Sequence, residues 1–319
     1  MKPAVLALAA ALAGTAAVAA PGPIDRRALV DRHRPVVRSF DTASPLSVGN
    51  GELAFTADAT GLQTFAEAYD ETIPLGTLSQ WGWHTAPNPR AFSIESFRFT
   101  QFDAHGRSVG YADIPGDRRT PEIEWLRANP HRLHLGRIAF RLTRADGRAA
   151  TRNDLTDGEQ VLDLWNGSLR SRFRLDGEEV TVETLCHPRL DLVAVRVVSP
   201  LVSRGRVAIR LRFPYGTGGA NAADWTRPEA HETVLVRPTA HSAELARHLD
   251  DDRYHVRLAW APAGRLAEEA KHAFVLEPAG DGDALEAVVA FSPTPLAEPL
   301  PGFEDTRRAA RETARRQGY

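Results

Sequence analysis

Apolar residues recur at every second position through most of this chain, and no other feature restricts its fold as strongly. In Leu169-Arg170-Ser171-Arg172-Phe173-Arg174-Leu175 the apolar side chains share one face and three arginines point away from it. Val207, Ile209, Leu211 and Phe213 alternate with Arg210 and Arg212. Tyr254, Val256, Leu258 and Trp260 alternate with His255 and Arg257, and Ile138, Phe140 and Leu142 with Arg137 and Arg141. An extended backbone turns successive side chains to opposite faces, so these segments predict half-solvated antiparallel strands. The run Leu192–Val198 is almost continuously apolar, which predicts a strand covered on both faces at the centre of a sandwich. Asp176-Gly177 lies between two alternating runs and predicts a two-residue hairpin, since both residues accept positive φ. Asp146-Gly147 and Asp157-Gly158 punctuate in the same way.

Helical patterning is sparse. It predicts a short helix at Pro121–Ala128, a second at Ser242–Leu249, and a C-terminal one at Glu304–Gln317, expected to be a linker helix of a longer protein, the alternative being a frayed terminal helix capped by Gly318. The last offers only alanines as core residues, so it is expected to depend on something else it packs against. The absence of regular strand–helix alternation excludes a (β/α) enzyme. The fold class expected is all-β, a large antiparallel supersandwich with two short inserted helices.

Lys2, the apolar run Val5–Ala13 and the small residues Ala17-Val18-Ala19 form the three regions of a secretory signal peptide, with cleavage expected after Ala19. The mature protein is then expected in the periplasm or outside the cell. No other segment supplies the roughly 20 apolar residues of a spanning helix, so no membrane association is expected. With 39 basic and 41 acidic residues, the chain lacks the basic excess of a nucleic-acid binder. Its one cysteine, Cys186, closes no intrachain disulfide and shares a strand face with Val180 and Val182, which predicts a buried, unreactive thiol. The expected organisation is a signal peptide at 1–19, an extension at 20–34, the sandwich at 35–302 and a linker helix at 303–319.

The stretch Val48–Thr64, headed by Gly49-Asn50-Gly51-Glu52, predicts a polar, glycine-punctuated strand pair. Beside it, Ser79-Gln80-Trp81-Gly82-Trp83-His84 sets two tryptophans two residues apart in a loop bounded by Gly76 and Pro89. Two rings on one side of an extended loop can stack on the apolar face of a pyranose while Gln80, His84 and Asn88 bond its hydroxyls. Asn50, Glu52, Gln80, Trp81, Trp83, His84 and Asn88 are therefore the candidate carbohydrate contacts. The alternative is that both rings plug the loop onto the sandwich.

These blocks, together with Trp125–Ile138, Gln160–Gly167, Phe213-Pro214-Tyr215 and Ala223-Asp224-Trp225, resemble the N-terminal β-sandwich of six-hairpin glycosidases, the superfamily that includes glycoside hydrolase family 65. The resemblance covers approximately Pro35 to Phe291. It implies a supersandwich, a helical linker and then an (α/α)6 barrel carrying a glutamate general acid, with water or phosphate as the attacking group. The chain is expected to stop where that barrel would start, so no catalytic residue is carried over. The resemblance implies a barrel partner in cis and a carbohydrate ligand, with no cofactor.

Glu52, Asp58, Glu67, Asp70 and Glu71 are numerous enough for a glycosidase acid pair, but spacing alone sets no two of them across a sugar-sized gap. His131 and His134 have an i, i+3 spacing seen in some metal sites, yet no neighbouring Cys or acid completes a shell. Asn166-Gly167-Ser168 matches a glycosylation acceptor, set aside because the alanine-rich leader and arginine bias look bacterial. Three functional readings follow: the non-catalytic sandwich half of an exported carbohydrate-active enzyme, a stand-alone carbohydrate-binding protein, and a mutarotase-like epimerase. The epimerase requires a converging His and Glu, and no such pair stands out in the sequence.

Overall fold

The computed structural model describes residues 24–112, 120–296 and 299–317. The leader, its cleavage position and the Gly318 cap lie outside the described residues. In chain order the first strands are β1 (Val36–Val37), β2 (Leu46–Gly49), β3 (Leu53–Ala57), β4 (Thr77–Ser79), β5 (Trp83–His84), β6 (Phe99–Ala104) and β7 (Arg107–Ala112). There follow β8 (His131–Arg132), β9 (Arg137–Leu142), β10 (Leu155–Asp163), β11 (Ser168–Leu175), β12 (Glu178–Cys186), β13 (Leu192–Val198) and β14 (Val207–Arg212). The remainder are β15 (His231–Val236), β16 (Ser242–Leu249), β17 (Asp252–Ala261), β18 (Gly264–Ala270), β19 (Ala273–Pro278) and β20 (Ala284–Ser292). The described α-helices are α1 (Arg26–Asp31), α2 (Pro121–Ala128), α3 (Pro200–Ser203) and α4 (Phe303–Gln317), with 3-10 turns at Ala66–Tyr69, Ile94–Ser96, Arg152–Asp154 and Pro228–Ala230.

The fold is an all-β antiparallel sandwich. A nine-stranded sheet in the order β1-β10-β11-β12-β13-β20-β17-β16-β15 faces a four-stranded sheet, β18-β19-β14-β9. Each alternating run contributes one side of the core between them: Leu169, Phe173 and Leu175 from β11, Ile209 and Leu211 from β14, and Val256, Leu258 and Trp260 from β17. Asp176 and Gly177 adopt φ of 50° and 81° and join β11 to β12 as the sequence predicts. β13 is the central strand of the nine and is covered on both faces. Val193, Val195 and Val197 enter the main core, while Leu192 and Ala194 enter a second cluster under α4.

Two helical expectations are corrected. Ser242–Leu249 is strand β16, paired along its length with β15 and β17. Ala243, Leu245 and Leu249 point inward at period two, so the ladder on both sides overrides the helix propensity of Ala, Glu and Leu. The C-terminal helix does not rely on alanine, because its first residue, Phe303, is 2% exposed and packs with Leu185, Leu192, Val288 and Ala290 on the outer face of the large sheet. Thr306 is buried one turn later. The helix is thus clasped to its own sheet.

Val48–Thr64 also behaves differently from a ligand-presenting strand pair. β2, β3 and β4 form a small sheet, and the loop after β3 turns into the interior. The buried Gln63 amide donates to Thr56 O at 3.0 Å and accepts from Ile138 N at 3.2 Å. Gln160 donates to Asp58 O at 2.7 Å and Thr184 to Gly61 O at 2.8 Å. These polar groups satisfy backbone that would otherwise be orphaned between the sheets. Cys186 is buried, and that burial, aided by the nearby Asp191 charge, pushes its thiol pKa up.

Candidate functional site

The loop between β4 and β5 is bent by two short backbone bonds, Gly82 N to Ser79 O at 3.0 Å and Trp83 N to Trp81 O at 2.9 Å. The bend parts the two tryptophans. Trp81 turns in against the core, 6.1 Å from the Tyr254 ring, while Trp83 remains 44% exposed. The coplanar platform suggested by their spacing is therefore not formed. One face of Trp83 is occupied by the Arg132 guanidinium at 4.1 Å, and its indole donates to Gln80 O at 2.9 Å. Arg132 in turn donates to Ser79 O and Gln80 O at 3.1 and 3.2 Å.

Behind this loop, Asp191 accepts from Ser79 Oγ at 2.5 Å and from the Trp81 indole at 2.6 Å. Asn50 holds the same segment from another side, its amide donating to His187 O and Leu190 O at 3.0 Å each. Its carbonyl accepts from Glu52 N and Leu53 N, closing the turn between β2 and β3. Residues 187–191 are thus pinned from two loops, and with α4 they enclose a cleft of about 390 Å³ lined by His187, Arg189, Glu312 and Arg316 among others. His187 Nδ1 accepts from the Arg189 and Leu190 amides, which fixes a neutral ring. Burial, with Arg189 alongside, lowers its pKa.

Of the seven candidates, Glu52, Gln80 and Trp83 lie at the surface, and Gln80 N donates to Glu52 O at 2.9 Å, which sets the two residues side by side. Asn50 and Trp81 support the 187–191 loop. Asn88 closes a turn on itself, exchanging bonds with Phe92 N and O at 2.9 and 2.8 Å.

His84 is buried and belongs to a separate polar seam. Its Nδ1 donates to Asp252 Oδ2 at 2.8 Å, and Nε2 lies 3.3 Å from Asp250 Oδ2 without hydrogen-bond geometry. Tyr215 donates to that same Asp250 oxygen at 2.5 Å. Burial and the Asp250 carboxylate push its phenol up to about 12. His131, the cross-strand neighbour of His84, sits 5.0 Å from the His84 ring and donates to Ala128 O at 2.7 Å. Gly216 closes over both imidazoles; a Cβ there would collide with His84 and lie 2.9 Å from His131 Nε2. The seam continues to Arg247, whose fully buried guanidinium donates to His231 Nδ1, Glu232 O, Thr233 Oγ1, Pro214 O and Tyr254 OH. The sequence points to His84 and to the Phe213-Pro214-Tyr215 block but not to their acidic partners, which lie where Asp250-Asp251 turn β16 into β17 and Asp252 opens β17.

His134 donates to Leu75 O at 3.1 Å and accepts from Gly136 N, so it and His131 have separate partners. Among the described residues, no three His, Cys, Asp or Glu side chains are placed to hold one metal ion. Asp58, Glu67 and Asp70, which the sequence offered for an acid pair, have other partners. Asp58 is buried and accepts from Thr60 and Phe65, and Glu67 and Asp70 pair with Arg137 at 2.8 and 3.3 Å. A His–Glu pair that alternation alone did not reveal joins His255 to Glu244 at 3.0 Å. It lies on the outer face of β16 and β17, away from the core. Among the described residues no helix is long and apolar enough to cross a membrane.

No protein-family model matches the chain, and no curated protein matches it. Among solved structures, one described as a kojibiose phosphorylase from human microbiome aligns over 89% of this chain at 10% identity, with a TM-score of 0.45. The alignment spans 35% of that structure's own length.

Proposed function

We propose that this chain is the non-catalytic sandwich domain of an exported carbohydrate-active enzyme, of glycoside hydrolase or phosphorylase type. In this reading it supports an (α/α)6 barrel in cis and lends Glu52, Gln80 and Trp83 to the rim of a sugar pocket. The observation that carries it is the 187–191 loop, held on one side by Ser79 and Trp81 through Asp191 and flanked on the other by α4. The tryptophan loop and the helix that would lead to a barrel therefore meet at one structure. Asn50 and Trp81 stiffen the rim rather than touch the ligand, and Trp83, with one face on Arg132, keeps an exposed surface for a pyranose. Export follows from the leader read in residues 1–19.

Saturation-transfer NMR with glucose disaccharides tests the rim. Residues 20–319 are expected to show weak contact that Trp83→Ala abolishes and Asn88→Ala leaves in place. A transfer signal that survives Trp83→Ala refutes the assignment.

A further inference from the structure

The cleft between the 187–191 loop and α4 gathers polar groups that the fold itself does not use. It encloses about 390 Å³, within the range of small-molecule sites and more than a lone inorganic anion fills. The loop supplies His187 and Arg189. From α4 come Ala309, Glu312, Thr313 and Arg316, which recur at the i, i+3, i+4, i+7 spacing of one helix face.

Nearer the start of this helix, charges satisfy each other: Arg307 pairs with Glu304 and Arg308 with Asp305. Those facing the cleft do not. Glu312 and Arg316 stand four residues apart in the order that favours pairing, yet among the described residues the Arg189, Glu312 and Arg316 side chains have no hydrogen-bond or ion-pair partner. Arg316 has a reason to be there without a ligand, since a cation suits the carbonyl end of a helix. Arg189 has no such reason. It stands on a loop held by Asn50, through His187 O and Leu190 O, and by Asp191, through Ser79 and Trp81. The same loop fixes a donor, because His187 Nδ1 accepts from the Arg189 and Leu190 amides and the proton of the neutral ring is then on Nε2, the nitrogen left to meet a ligand.

Two guanidiniums and an imidazole N–H suit a carboxylate or phosphate, which accepts from all three. Glu312 and Thr313 suit a different partner: a bare anion is repelled by Glu312, whereas a hydroxyl-rich ring donates to it. We propose that this cleft is a sugar site distinct from the Trp83 rim, taking a monosaccharide that carries a carboxylate or phosphate group. Arg189, Arg316 and His187 Nε2 hold the anion, and Glu312 and Thr313 accept from ring hydroxyls. Both walls belong to this chain, so the site needs neither a barrel nor the rim.

Isothermal titration calorimetry on residues 20–319 with glucuronate and with glucose 6-phosphate tests this, with glucose and inorganic phosphate as controls. At least one acidic sugar is expected to bind with a dissociation constant of about 1 mM or tighter, and both controls at least about tenfold more weakly. Which acidic sugar binds identifies the anion. Arg189→Gln and Arg316→Gln should each weaken binding about tenfold, whereas Arg315→Gln, the same charge change one residue outside the cleft, should leave it within about twofold. The proposal is overturned if neither acidic sugar gives saturable heat up to about 20 mM, or if inorganic phosphate binds as tightly as they do. It is equally overturned if the two cleft variants leave binding unchanged, or if Arg315→Gln weakens it as much as Arg316→Gln.

Discussion

Phe303→Ala should release the C-terminal helix while leaving the sandwich folded. Phe303 is 2% exposed and is the only large apolar side chain α4 places in the cluster of Leu185, Leu192, Val288 and Ala290. Removing a buried phenyl ring costs about 3–5 kcal/mol, the loss of apolar contact and the cavity left behind both included. What remains is weak. The Arg196–Glu304 and Arg307–Glu183 pairs, at 3.2 and 3.8 Å, are partly exposed and contribute about 0–1 kcal/mol each. Thr306 and Ala310 are small, and an isolated helix of this length is marginal in water.

Docking of α4 therefore falls to near zero in the variant, and the undocked population rises about a hundredfold or more, since each 1.4 kcal/mol is tenfold. Limited trypsin digestion followed by mass spectrometry reads this directly, because Arg307, Arg308, Arg311, Arg315 and Arg316 all lie on the helix. Cleavage within 307–316 should accelerate by at least an order of magnitude, with the 36–292 body intact. If the helix is cut no faster than in the wild type, or if the whole sandwich melts with it, the clasp argument is wrong.

Gly216→Ala should destabilise the protein by about 1–3 kcal/mol in urea unfolding, because the new methyl meets the His84 and His131 rings; a neutral result would mean the 213–217 loop is free to lift. Acidification should weaken the fold. Burial holds His134 and His231 down to about 3, so below the ordinary value near 6.5 the unfolded chain takes up protons that the folded one refuses, and stability is lost progressively between about pH 6.5 and 3. For fully buried His134 this amounts to about 4–5 kcal/mol at the acid end, opposed by the buried Asp58, which is pushed up to about 6 and favours the fold as it protonates. A urea midpoint that stays level or rises from pH 7 to 4.5 contradicts this. Residues 20–319 should neither hydrolyse nor phosphorolyse disaccharides; turnover that survives repurification and disappears on a point substitution within the chain would refute that reading.

What could be read from the sequence follows the reach of each interaction. Strands whose faces differ in solvation announce themselves by alternation, and the doubly covered centre announced itself by its lack, as β13 shows with Val195 in the main core and Ala194 under α4. β16 was hidden because Ala, Glu, Leu, Arg and His suit a helix, and only its neighbours β15 and β17, ordered by long-range pairing, make it a strand. The weight of Phe303 was hidden for a similar reason. A single aromatic at a helix start carries no periodicity, yet it meets three strands that the fold brings beneath it.

The site shows the same limit more sharply. Period two puts Trp81 and Trp83 on one side of an extended strand, and the structure separates them because residues 79–82 turn. Which ring goes inward is decided by an acceptor 110 residues away: the Asp191 carboxylate takes the Trp81 indole, together with Ser79 Oγ. Trp83 has no such acceptor and bonds its own loop at Gln80 O, so it stays outside, propped by Arg132. A buried indole N–H left unpaired costs about 1–3 kcal/mol, enough to set the choice between the rings. Asp191→Ala removes that reason, and Trp81 should then gain solvent exposure, seen in a Trp83→Ala background, which removes the exposed ring, as a red shift of the protein's emission and faster acrylamide quenching. Should Trp81 keep its buried spectrum without Asp191, packing against Tyr254 rather than the distant carboxylate holds the ring in place.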